Sequence, residues 1–187
     1  MIRGVVLCGG ESKRMGSDKG LLSGGDHNWA QHAFSKLEAL NVPVHISINK
    51  TQVRAYHCFF GAHLLIIDRV VAKGPLAGLL SVHLSYPDDD LLVLACDMIE
   101  MDTEALTLLK HHTVEFPGFD YYLYALEEFL EPLCAVYTSA SLKKILRDLN
   151  EGNLPGFSLH KIIKQGNYKT LPIIKIEKFN NYNTATI

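Results

Sequence analysis

Residues 2–22, IRGVVLCGGESKRMGSDKGLL, constrain the fold more than any other part of the chain. Val5, Val6 and Leu7 form an apolar run of the kind that makes a buried strand, and it stops abruptly at Gly9-Gly10. A strand that runs into a glycine loop leaves backbone amides bare, so an anion can approach them closely. Lys13, Arg14 and Lys19 surround that loop with positive charge. The stretch reads as a phosphate-binding loop. Two familiar phosphate loops fail on spacing: the Walker pattern needs Gly-Lys-Ser/Thr after four intervening residues, and the dinucleotide pattern needs G-x-G-x-x-G.

The rest of the chain alternates. Trp29 to Leu40 places Ala30, Ala33, Phe34, Leu37 and Leu40 at helical spacing, and Val42 to Ile48 alternates apolar residues with Pro43, His45 and Ser47 as a strand. A weak helix over Thr51 to Phe60 and a buried strand over Leu64 to Ile67 follow, and Gly74-Pro75 then opens a helix with proline in its first turn. Asp88, Asp89 and Asp90 read as a solvated turn. Leu91 to Cys96 is the most apolar strand, and Asp102 or Thr103 caps a helix that runs to His112. Repeated units of this kind imply a parallel sheet with helices on both faces. Beyond Phe116 the pattern changes to a strand pair, Tyr121 to Leu126 and Leu130 to Tyr137, added to the sheet in antiparallel sense. A helix over Ser139 to Leu149, a short helix over Ser158 to Lys164 and a last strand over Tyr168 to Lys175 complete the reading.

At 187 residues the chain suits one domain with a full core. A formal net charge of −2 gives no electrostatic footprint for nucleic acid, so anion binding has to be local. Cys8, Cys58, Cys96 and Cys134 lie far apart with no C-x-x-C pair, which suggests neither a zinc site nor a disulfide framework and fits a reducing cytoplasm. No run has the length of a membrane span or the form of a secretory signal.

In an open parallel sheet, ligands bind outside the carboxyl ends of the strands. The glycine loop, Asn49, Asp68 and Asp97 each follow one expected strand, so four strand ends point at one crevice. Asp97 is the sharpest of these. A carboxylate directly after a buried apolar strand is costly unless paired or bound to a cation, and nucleotides arrive with Mg²⁺. Asp97 is therefore expected to hold that ion, with Arg14 and Lys19 neutralising the charge of the bound phosphates.

The pattern L-C-G-G-x-S-x-R-M-G-x-D-K-x-L-L resembles the signature of nucleotidyltransferases that move a nucleoside monophosphate onto a phosphorylated acceptor. With G-P-L-A-G-L-L-S at 74–81, A-C-D-M at 95–98, E-P-L-C-A-V-Y at 131–137 and N-x-N-T at 181–184, the chain resembles the molybdenum cofactor guanylyltransferases. That resemblance implies a three-layer αβα, Rossmann-like nucleotidyltransferase fold with a mostly parallel central sheet. It divides one domain into a GTP-binding half, 1–115, and an acceptor-binding half, 116–187. It implies that GTP and metal-loaded molybdopterin yield the guanine dinucleotide cofactor and pyrophosphate. By the same resemblance, nucleotide contacts fall to Leu7, Cys8, Gly9, Gly10, Lys19, Asn49, Asp68, Gly74, Pro75 and Gly78, and Mg²⁺ to Asp97. Asn181 and Asn183 match an asparagine pair on the pterin side, and the expected partners are molybdenum cofactor biosynthesis proteins and apo-molybdoenzymes. Ile99 stands where the family usually has proline after C-D-M, and the chain ends at N-T-A-T-I where relatives continue into a closing helix. The competing readings are a cytidylyltransferase for the same pterin, a sugar nucleotidyltransferase and a GTP-binding subunit without turnover.

Overall fold

The computed structural model describes residues 1–9 and 18–179. In chain order these form β1 (Ile2–Leu7), a single-turn helix (Lys19–Leu21), a ribbon of β2 (Ser23–Gly24) and β3 (His27–Asn28), α1 (Trp29–Glu38), β4 (Val44–Ile48), α2 (Val53–Tyr56), a second single turn (Ala62–Leu64) and β5 (Leu65–Ile67). There follow α3 (Pro75–Ser85), β6 (Asp90–Ala95), α4 (Thr103–Glu115), β7 (Tyr121–Leu126), β8 (Phe129–Tyr137), α5 (Ser139–Asn150), α6 (Leu159–Lys164), β9 (Tyr168–Pro172) and a last turn (Ile176–Phe179).

Seven strands make one sheet in the order β5-β4-β1-β6-β8-β7-β9. β1 pairs in parallel with β4 and β6, and β4 with β5. β8 is antiparallel to both neighbours while β9 is parallel to β7, so β8 alone of the seven runs against the rest. The expected strand pair is present, but it is not appended as a block. The β6–α4–β7 crossover leaves room for one strand, and the turn at Glu127-Glu128 folds β8 back into it, with Glu127 at φ 52.

Alternate strand residues face two helical layers because successive side chains point to opposite faces of a pleated strand. Val6, Leu92, Leu94, Tyr122, Tyr124, Cys134 and Val136 pack with α1 and α4; Val5, Leu7, Leu91, Val93, Tyr121, Leu123, Ala135 and Tyr137 pack with α3, α5 and α6. The result is the expected three-layer αβα arrangement. The tyrosines at 121, 122 and 124 are packing residues, all buried. Asn28 and Gln31 form a capping box at the start of α1, and Asp102 rather than Thr103 caps α4 through the N–H of Ala105 at 2.9 Å.

Three local expectations are corrected. The weak helix at 51–60 contracts to α2 followed by turns, and the last strand stops at Pro172. Asp88 to Asp90 is not simply a solvated turn. Asp89 accepts from Arg3 Nε at 2.9 Å beneath the Tyr86 ring, and Asp90 accepts from the backbone N–H of Ser139 at 2.7 Å, at the start of α5. His45 and Ser47, the polar positions of β4, are buried. Each finds a partner there: His45 lies 2.9 Å from the Tyr86 hydroxyl and 3.2 Å from Arg3, and Ser47 donates to Asp68 at 2.8 Å.

Candidate active site

The parallel registers Leu7↔Ser47, Leu7↔Ala95 and Ile48↔Ile67 bring the ends of β1, β4, β5 and β6 to one edge of the sheet. Gly9, Asn49, Asp68 and Asp97 therefore follow neighbouring strand ends at that one edge. The N–H groups of Cys8 and Gly9 both donate to the Ser47 carbonyl, at 3.0 and 3.1 Å, and the Leu7 carbonyl accepts from Cys96. The amides of Cys8 and Gly9 are thus already spent on the fold.

Close approach explains two of the glycines. A Cβ on Gly9 would sit 2.7 Å from Asp68 Oδ2, and one on Gly78, in the second turn of α3, would sit 2.2 Å from Ser47 Oγ and 3.3 Å from Asp68 Oδ1. Gly74 has φ 64, a conformation open to glycine at little cost, and it hands the chain to Pro75 at the first position of α3. Gly9, Ser47, Gly78 and Asp68 thus form one tight contact. Burial pushes the Asp68 carboxyl up to about 6, and the hydrogen bond from Ser47 partly opposes that rise.

Lys19 reaches across the crevice to Asp97, Nζ to Oδ2 at 2.9 Å. The turn that carries Lys19 is fixed by Asp18, whose carboxylate accepts from the N–H of Gly20 at 3.0 Å, from Gln52 Nε2 at 2.6 Å and from the Tyr56 hydroxyl at 3.1 Å. Asn49 uses its side-chain oxygen locally, accepting from the N–H groups of Thr51 and Gln52 at 2.9 and 3.2 Å; its NH₂ takes no part in that turn.

Glu131 was not singled out in the sequence beyond its place in the E-P-L-C-A-V-Y run. β7 advances from Leu123 to Ala125 while β8 advances from Leu130 to Ala135, so residues 131–134 bulge at the carboxyl end of β6. Glu131 is 2 % exposed and accepts from the N–H of Leu133 at 2.9 Å. Burial, with a smaller contribution from the charge of Asp97, pushes its carboxyl up to about 7. Asp18, Gln52 and Tyr56 were likewise passed over. Asp18 belongs to the glycine-loop motif, whereas Gln52 and Tyr56 lie in a segment with no clear periodicity. Gly10, Arg14, Asn181 and Asn183 lie outside the described residues.

A lysine paired with a carboxylate at adjoining strand ends suits nucleotidyl transfer, and comparison with known proteins agrees. The family model described as the MobA-like NTP transferase domain matches residues 4–167. The chain belongs to the MobA-like NTP transferase family. A molybdenum cofactor biosynthesis bifunctional protein from Synechocystis is 29 % identical over 153 residues, and the match covers 80 % of this chain but only 42 % of that longer relative. A probable molybdenum cofactor guanylyltransferase of Pelotomaculum thermopropionicum is 26 % identical over 184 residues, covering 95 % of this chain and 85 % of the relative. Among solved structures, molybdopterin-guanine dinucleotide biosynthesis protein A of Archaeoglobus fulgidus superposes with a TM-score of 0.77 at 20 % identity, covering 97 % of this chain and 92 % of its own. A nucleotidyl transferase of Methanothermobacter reaches 0.76 at 14 %, covering 100 % and 93 %. The MobA-like fold of this chain, with its mostly parallel sheet between helical layers, is the nucleotidyltransferase fold expected from its motifs.

Proposed function

We propose that the protein transfers GMP from GTP to metal-loaded molybdopterin, giving the guanine dinucleotide cofactor and pyrophosphate. The observation that carries this reading is the Lys19–Asp97 pair, set at the end of β6 beside the Gly9 and Asp68 contact. The preference for guanine and for the pterin rests on the guanylyltransferase relatives.

An oxygen of the acceptor phosphate attacks the α-phosphorus of GTP; a new P–O–P linkage forms, and the bond to the β-phosphate breaks to release pyrophosphate. No side-chain nucleophile is needed, so the protein's task is positioning and neutralising charge. Lys19 places an ammonium on the phosphates, with Arg14 as a second cation. Gly9, Gly78, Asn49, Asp68, Gly74 and Pro75 supply the nucleotide's remaining contacts. Asn181 and Asn183 serve the acceptor.

The donor set fits Mg²⁺ in its usual manner for nucleotides. Among the described residues no cluster of three or more His, Cys, Asp or Glu is suited to a metal, but Mg²⁺ is commonly held by one or two carboxylates together with substrate phosphates. Asp97 would hold it, and the ion would supply further neutralisation of the triphosphate. Among the described residues no helix is long and apolar enough to cross a membrane, and Cys8, Cys58, Cys96 and Cys134 are free thiols. The reading places the reaction in the reducing cytoplasm.

The direct test supplies GTP or CTP, each labelled at the α-phosphate, together with Mg²⁺ and metal-loaded molybdopterin. Labelled dinucleotide and pyrophosphate from GTP support the proposal. Product from CTP alone moves the protein to the cytidylyl reaction, and product from neither with an intact acceptor contradicts transfer to this pterin.

A further inference from the structure

Gln52 joins three segments at the strand-end edge at once. Its Nε2 donates to the Cys8 carbonyl at the end of β1, at 3.0 Å, and to Asp18 Oδ2 at 2.6 Å. Its Oε1 accepts from the backbone N–H of Asn49, just past β4, at 2.8 Å. Tyr56, one turn further along, donates its hydroxyl to the other oxygen of Asp18 at 3.1 Å, and the N–H of Gly20 donates to that same oxygen at 3.0 Å. Lys19 lies between Asp18 and Gly20 in the chain, so these bonds clamp its backbone on both sides.

Packing tightens the clamp. A Cβ on Gly20 would lie 2.1 Å from the Tyr56 hydroxyl and 3.3 Å from Cys8 Sγ, so the peptide after Lys19 rests directly on the phenol. Gln52 is 8 % exposed and Tyr56 is fully buried. Polar groups buried at this depth are costly unless fully bonded, and an apolar pair would fill the space behind a glycine turn at lower cost. What the polar pair adds is a fixed distance between the ends of β1 and β4 and the backbone of Lys19.

We propose that Gln52 and Tyr56 are positioning residues that act through Asp18 to set where the Lys19 ammonium meets the nucleotide phosphates. The inference rests on the nucleotidyl-transfer reading and adds to it the device that aims the lysine. Gln52→Glu puts an oxygen where the NH₂ faces a carbonyl and a carboxylate, so the clamp is repelled open. Tyr56→Phe keeps the ring and removes one bond to Asp18.

The experiment measures Mg²⁺-dependent GTP affinity by calorimetry for the wild type, for Gln52→Glu and Tyr56→Phe, and for each combined with Lys19→Ala, with thermal unfolding to confirm that every variant is folded. Gln52→Glu is expected to weaken GTP about tenfold or more, and Tyr56→Phe about threefold, when Lys19 is present. With Lys19→Ala both effects are expected to shrink below about twofold, because contacts that act through one group are not additive. A role confined to holding the fold would give the same loss with and without Lys19, and that result, or full affinity in both single variants, overturns the inference alone. Should Gln52→Glu fail to fold, Tyr56→Phe decides by the same comparison. Absence of GTP binding by the folded wild type would overturn the transfer reading and this inference together.

Discussion

Lys19 Nζ stands 2.9 Å from Asp97 Oδ2, joining the loop after β1 to the end of β6 across 78 residues of sequence. Side-chain exposures of 26 and 15 % leave both groups within reach of a ligand while sheltering them from bulk water. Lys19→Ala is expected to lower the rate of pyrophosphate release about a hundred- to a thousandfold, the usual cost of one charge-stabilising group. A loss below about fivefold would remove Lys19 from the catalytic role.

Gly78→Ala places a methyl against Ser47 Oγ, so the hydroxyl has to turn away from Asp68 or α3 has to part from β4. The expected cost is about 1–3 kcal/mol of stability, as for other overpacked sites. Because Ser47 donates to Asp68, GTP affinity should fall as well. Chemical denaturation and calorimetry on one preparation check both, and an alanine variant with native stability would show that the contact is slack.

Glu131 titrates in an unfavourable place. Its carboxyl is raised from 4.5 to about 7 in the fold, chiefly by burial, so ionising it costs more in the folded chain than in the unfolded one. The native residue is best tolerated below pH 4.5, and stability is lost as pH rises through 7. Gln in its place can still accept from Leu133 and carries no charge, so Glu131→Gln should be more stable than the parent at pH 8 by roughly 2–3 kcal/mol. The two proteins should converge near pH 4.5. Thermal unfolding without Mg²⁺ at both pH values tests this; a pH-independent difference would contradict it.

Arg3 lies 2.7 Å from Asp89 and under the Tyr86 ring, at the amino ends of the strands and away from the crevice. Arg3→Ala leaves the mostly buried Asp89 carboxylate without that partner and removes a stacked cation, and about 3 kcal/mol of stability should go with them. GTP affinity at a temperature where the variant is folded should stay within about twofold of the parent. A larger loss of affinity would mean that this cluster reaches the site.

The sequence carried the parallel part of the fold because each βα unit there announces itself: an apolar run, a polar stop at Gly9, Asn49, Asp68 or Asp97, then a helical period. The insertion of β8 could not be read the same way. Strand order depends on how far α4 carries the chain and on which side a hairpin folds, and neither leaves a local pattern. The partners that bury His45 and Ser47, namely Arg3, Tyr86 and Asp68, lie 21 to 42 residues away and leave no local pattern. Glu131 is aimed by a bulge that shows only once β7 and β8 are paired. Tyr56 ends a helix of four residues and Gln52 is the residue just before it, so neither falls in a stretch long enough to give a period. The shared edge of strand ends was legible; the groups that hold Lys19 in place were not.

The central claim is that the loop between Gly9 and Lys19 and the Asp97 carboxylate together hold a nucleoside triphosphate. The most direct measurement is calorimetric titration of the purified protein with GTP, CTP, ATP and UTP in the presence of Mg²⁺, with Lys19→Ala and Asp97→Ala as controls. The account predicts selective binding of GTP that weakens in both variants. No binding of any of the four nucleotides by the folded protein, or GTP binding that neither substitution alters, would contradict it.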